Sequence, residues 1–257
     1  MKHTRTALLL ALWASAIAGS ARATPKLRRF EPDDLELEHP GTLDIDLQMG
    51  PMGGDSDGRD RILLPDFELG LGLAPNVQLE VDGTFSIDRF DGKNRHFTGD
   101  SLWVATKLGL LDEEDDDHNV WAIGLELGPR FPTLDAGGLG YGVVALFGVT
   151  HRRLQLVANT GVLIDPGTAI LAQHSESIVL GLDSNLDLDA QGVWSLQGEI
   201  AGAYYFSPDP HELTTSFGAT YAVTPKLDVS IMGLAGFLPH TDHAGILLGI
   251  SPQFDFW

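Results

Sequence analysis

From Thr42 onward the chain alternates apolar and polar residues with a period of two, and it keeps doing so almost to its last residue. Leu43, Ile45, Leu47 and Met49 alternate with Asp44, Asp46 and Gln48. Val77, Leu79, Val81, Gly83, Phe85 and Ile87 alternate with Gln78, Glu80, Asp82, Thr84, Ser86 and Asp88. Helical spacing would scatter those carboxylates around an axis, whereas a strand puts them all on one side. Similar stretches run over Phe67 to Leu73, Leu102 to Leu110, Val120 to Gly128, Gly140 to Thr150, Leu154 to Ile164, Ile178 to Leu188, Val193 to Phe206, Leu213 to Ala222, Leu227 to Phe237 and Gly245 to Phe256. Together they predict twelve strands. Most have about 9 to 12 residues, enough for a tilted strand to cross a hydrocarbon layer.

The connections carry a second pattern. Long ones follow odd strands, at Gly50 to Arg61, Arg89 to Asp100, Pro129 to Leu139, Asp165 to Ser177, Ser207 to Glu212 and Leu238 to Ala244. Short ones follow even strands, at Ala74-Pro75-Asn76, His151-Arg152-Arg153, Asp189 to Gly192 and Thr224-Pro225-Lys226. Leu111 to Asn119, with the acidic run Asp112 to Asp117, is longer than the rest of its set. Short turns on one side, long loops on the other and an even strand count predict an all-β, transmembrane, antiparallel up-and-down β-barrel with both termini on the side of the short turns.

The N-terminus supports export. Lys2 and Arg5 precede an apolar stretch from Ala7 to Gly19, and Ala21-Arg22-Ala23 ends it. Residues 1–23 read as a cleaved signal peptide of a Gram-negative bacterium, 24–41 as a flexible periplasmic tail and 42–257 as the outer-membrane barrel. No stretch of about 18 uncharged apolar residues offers a membrane-spanning helix. There are no cysteines, so burial and backbone pairing must hold the fold. Without the signal, 13 basic residues face 36 acidic ones, a formal charge of −23. A nucleic-acid partner, which needs a basic footprint, is excluded.

Aromatic residues fall near predicted strand ends. Trp121, Trp194, Phe254 and Phe256 would mark the inner membrane boundary, and Phe85, Tyr204, Phe206 and Phe237 the outer one. The chain ends on Phe254-Asp255-Phe256-Trp257. This resembles the insertion signal by which outer-membrane barrels are recognised for assembly. Pro252 cannot donate to a ladder, so a bulge or an unpaired N–H position is expected there.

Several segments resemble a family of outer-membrane proteins labelled as meta-pathway phenol-degradation proteins. They are Leu64 to Glu80 (LPDFELGLGLAPNVQLE), Gly99 to Leu108 (GDSLWVATKL), Arg130-Phe131-Pro132-Thr133 and Tyr221 to Val229 (YAVTPKLDV). The resemblance implies a transporter-like barrel for small, often aromatic, molecules, and it transfers no catalytic residues.

The strand phase places Asp44, Asp46, Glu68, Glu80, Asp82, Lys107, Glu126, Asp183, Asn185, Asp187, Glu199 and Asp228 on the inward face as candidate lumen-lining residues. A wet lumen so lined would favour cations and neutral solutes, whereas a narrow barrel would fill with hydrogen-bonded side chains and conduct nothing. The expected function is therefore an outer-membrane channel or uptake barrel with an acidic lumen. A closed structural or adhesive barrel and a lipid-modifying barrel enzyme stand as alternatives. No cofactor and no metal are expected. The expected partners are outer-membrane lipid, the barrel-assembly machinery and a small solute. Gly54-Asp55-Ser56-Asp57-Gly58 has the letters of a nucleophile elbow without its strand and helix. His240-Thr241-Asp242-His243 lacks a third metal ligand and reads as a solvated loop. His151 and Ser195 fall near predicted inner ends with no third catalytic partner.

Overall fold

The computed structural model describes residues 37–53, 59–90, 95–99, 102–114, 119–133, 138–165, 175–206, 211–238 and 241–256. Thirteen strands follow one another: β1 (Thr42–Gly53), β2 (Arg59–Ala74), β3 (Val77–Phe90), β4 (Arg95–Gly99), β5 (Leu102–Glu114), β6 (Asn119–Phe131), β7 (Gly140–His151), β8 (Leu154–Asp165), β9 (Ser175–Asp187), β10 (Trp194–Tyr205), β11 (Glu212–Thr224), β12 (Leu227–Gly236) and β13 (Ala244–Asp255). All pairings are antiparallel. β3 pairs with β5 from Val77 to Asp82 and with β4 from Phe85 to Arg89. β4 and β5 thus lie end to end along one edge of β3 and form a single stave. Twelve staves close into a barrel through the β2–β3 and β1–β13 ladders.

The period-two pattern becomes two surfaces. Along β10, Ser195, Gln197, Glu199, Ala201 and Ala203 are buried, while Trp194, Ile200 and Tyr204 between them are at least half exposed. Leu180, Phe217, Ile231, Ile246 and Leu248 extend the exposed belt. So much contiguous apolar surface is unstable in water and suits a hydrocarbon layer. Aromatic side chains border it. Trp194 and Tyr221 pack 4.6 Å apart at the inner end, and Phe85 stacks between Phe67 and Phe97 towards the outer end.

Strands run further than the alternation suggested. The β1–β2 ladder reaches Gly53 opposite Asp60, and the β8–β9 ladder reaches Asp165 opposite Ser175. Beyond the hydrocarbon the backbone keeps its partners while the outward side chains no longer need to be apolar, so the sequence signal fades before the strand does. The long inner connection also shrinks. After a register shift between Gly109 and Leu111, β5 continues to Glu114 opposite Val120.

At Pro252 the β1–β13 register keeps one offset from Leu43↔Phe254 through Leu47↔Ile250, skipping the two positions between. There is no bulge at this seam. The ladder simply lacks rungs where proline has no N–H, and the Ser251 hydroxyl donates to Asp46 beside the gap.

The β9–β10 turn shows how one inner connection is held. The Asp189 carboxylate accepts from the backbone N–H groups of Gln191 at 2.9 Å, Val193 at 3.1 Å and Trp194 at 2.8 Å. These donors, Trp194 and Val193 foremost, hold its carboxyl below the ordinary value of 3.8. A group depressed on folding stabilises above its unfolded pKa and loses that contribution as pH falls through the folded one. Asp189→Ala is expected to lower the thermal midpoint at neutral pH, with the difference from the parent shrinking once the pH falls below the ordinary 3.8. Melting curves at the two pH values check this.

Candidate functional site

The interior is built from the faces opposite the lipid belt. On β1, β2 and β3, Asp46, Glu68 and Asp82 stand side by side in register. Asp46 and Glu68 are buried and Asp82 is half-buried. Asp228 on β12 is buried opposite Ser251. On the far wall Glu199 is buried, lies opposite the half-buried Asp183, and accepts from the Ser216 hydroxyl at 3.0 Å. Asp44 and Glu126 are buried, and Asn185 and Asp187 are half-buried nearer the inner end of β9.

Lys107 on β5 is flanked in register by Gln78 on β3 and Glu126 on β6. Its Nζ lies 3.6 Å from Glu80, and the amide of Gln78 donates to the same carboxylate at 2.6 Å. Lys107, Gln78, Glu80 and Glu126 are at most 1% exposed. An ammonium set among carboxylates in register offsets much of their mutual repulsion.

The chain just before β1 does not behave as a free tail. The Glu38 N–H donates to Gln78 at 2.7 Å, and Gln253 donates to the Glu38 carboxylate at 2.8 Å. Glu38 therefore lies across the inner faces of β1 and β2, which separate those two glutamines. Two glycines make this seat. A Cβ at Gly72 would come within 2.2 Å of the His39 carbonyl oxygen, and one at Gly109 within 2.9 Å of Leu37. Proline and mixed charge upstream gave no sign of packing, but Gly70 and Gly72 in the inward phase of β2 were a legible one.

The outer half of the interior carries two apolar clusters. Trp103, Ala105, Val144, Leu146, Leu163, Val179 and Ala203 form one cluster, and Met52, Leu63, Met232, Leu234 and Leu247 a second across the barrel. Trp103 is fully buried, donates to the Gly128 carbonyl at 3.1 Å, and carries the Arg130 guanidinium 5.6 Å from its ring centre. Arg130 also pairs with Asp165 at 2.9 Å. Near the outer rim Arg61 pairs with Asp242 at 2.6 Å. Thr241 and Asp242 are buried, so this part of the β12–β13 connection is tucked in rather than solvated as expected. His240 and Gly54 to Gly58 lie outside the described residues, as does Trp257; Phe254 and Phe256 are exposed at the inner end of β13.

His151 and Ser195 are not brought together. His151 ends β7 and bonds Asn119 at 2.5 Å, whereas Ser195 is buried on β10, three staves away. At about 4.8 Å per strand that is some three spacings along the wall.

At the inner end, between Leu37 and the wall formed by β5 to β9, is a cavity of about 620 Å³. A small organic molecule would fit a space of this size.

No protein-family model and no curated protein matches the chain, so the resemblance carried by the short motifs finds no support there. Solved structures do match in shape. The COG4313 outer membrane channel from Pseudomonas putida F1 superposes with a TM-score of 0.62 at 10% identity, over 88% of this chain and 100% of that one. The NanC porin gives 0.55 at 9% identity over 83% and 100%. The beta domain of the Bordetella autotransporter BrkA gives 0.52 at 11% over 84% and 100%. At such identities the likeness establishes the fold, a closed twelve-stranded antiparallel barrel of the outer-membrane kind.

Proposed function

We propose that this protein is a bacterial outer-membrane channel or uptake barrel for small solutes, with an acidic lumen. The observation that carries the reading is the two-sided wall. Carboxylates and amides line the inside, an apolar belt covers the outside, and a cavity of about 620 Å³ lies at the inner mouth. The excess of carboxylates over Lys107 favours cations and neutral solutes. That a channel and a porin are among the proteins of similar shape supports the reading.

One observation favours the closed-barrel alternative. Gln78, Glu80, Lys107 and Glu126 are essentially without exposure, so the path narrows where they meet. Planar-bilayer recording separates the two readings. The channel reading expects small cation-selective steps from the full chain and larger steps after deletion of residues 25–39, which removes the segment bonded across β1 and β2. Silence from both proteins, each shown to be folded by its heat-modifiable gel mobility, leaves the closed barrel.

A further inference from the structure

The cavity at the inner mouth sets cationic and polar groups beside apolar surface. Its walls include Arg152 and Arg153 from the β7–β8 turn, Asn185 and Asp187 from β9, and the apolar side chains of Leu37 and Val120. In a chain with 36 acidic and 16 basic residues, two adjacent arginines at one mouth make a local positive spot. Arg153 is engaged with the wall, donating to the Leu188 carbonyl at 3.3 Å. Arg152 makes no hydrogen bond or ion pair among the described residues. The Asn185 side-chain oxygen is fully buried and accepts no hydrogen bond among the described residues. A cation and an acceptor thus line one space with no partner of their own, and apolar surface lies beside them.

The backbone under Arg152 makes the same point independently. Arg152 has φ 57°, a left-handed conformation at the first position of a two-residue hairpin turn. Glycine or asparagine adopts this region readily, whereas an ordinary side chain pays about 1–2 kcal/mol there. An arginine at a position where the turn prefers other residues points to work for its side chain.

We propose that this cavity binds a small organic monoanion with a compact apolar body and a hydroxyl group. The carboxylate pairs with the Arg152 guanidinium. The hydroxyl donates to the Asn185 oxygen, and the apolar body lies against Leu37 and Val120. Asp187 on the same wall disfavours a second negative charge. This goes beyond the channel reading, because it names a ligand held at the inner mouth rather than the solute that passes the acidic lumen, and binding at equilibrium is measured apart from flux.

The test titrates the full-length barrel in detergent with 3-hydroxyhexanoate, hexanoate and hexylamine by calorimetry, with empty micelles as the blank. Saturable binding is expected for 3-hydroxyhexanoate, weaker binding for hexanoate and none for hexylamine. Arg152→Asn keeps a residue suited to the left-handed turn. It is expected to melt no lower than the parent while binding falls about tenfold or more, the loss of a charge-assisted hydrogen bond. Asn185→Leu is expected to remove the preference for the hydroxy acid over hexanoate. Hexylamine binding as well as the acids, or Arg152→Asn binding as well as the parent, overturns the proposal. Absent binding by a barrel that conducts overturns it and leaves the channel reading standing, whereas binding by a barrel that never conducts removes only the channel reading.

Discussion

Lys107→Met is expected to destabilise the folded barrel by about 3–5 kcal/mol, the usual cost of removing one partner from a buried charged pair. The ammonium is 1% exposed, 3.6 Å from a Glu80 carboxylate that is itself fully buried, and in register with Glu126. Methionine fills nearly the same volume, so the loss comes from charge rather than packing. Leaving two buried carboxylates without that cation is far costlier than weakening an exposed ion pair. Adding Glu80→Gln to Lys107→Met should restore a substantial part of the loss, because the substitution removes one of the stranded charges. Urea titrations in lipid vesicles measure both variants. A single variant as stable as the parent would show that the row around Lys107 does not depend on its charge.

Trp103→Ala is expected to cost about 3–5 kcal/mol by the same measurement, the range for deleting a buried aromatic side chain. The ring is 0% exposed in the larger apolar cluster, its N–H holds the Gly128 carbonyl, and its face carries Arg130. Trp103→Phe keeps most of the packing and the cation contact and loses the hydrogen bond, so it should cost nearer 1 kcal/mol. Equal losses for the two variants would mean that the N–H bond outweighs the packing.

Much of the barrel was legible because the pleat period and the bilayer impose one rule on every stave. The phase of Val77 to Asp88 alone places Gln78, Glu80 and Asp82 on one face, and the structure puts Gln78 and Glu80 deep inside. The same phase joins Trp103 to Lys107 and Arg130 to Glu126, so both interior contacts could have been read had strand phase been followed past the charged positions. Legibility fails where the phase slips. The register shift between Leu63 and Asp66 and the one between Gly109 and Leu111 re-aim the residues beyond them. Arg61 lies past such a slip, and its partner Asp242 is far off in sequence, which no local pattern connects. The cavity is harder still, since it depends on two turns, five strands and Leu37 meeting in space.

The wall is assembled almost wholly from neighbours in sequence. Each hairpin can form with a short loop to close and little chain entropy lost. Glu38 is different, because its partners stand 40 and 215 residues away on opposite sides of the first hairpin. The bond from Gln253 cannot form until the last strand has met the first. Glu38 is thus a clasp across the finished circumference, made late in assembly, and the acid seated between its two glutamines marks a ring that has closed.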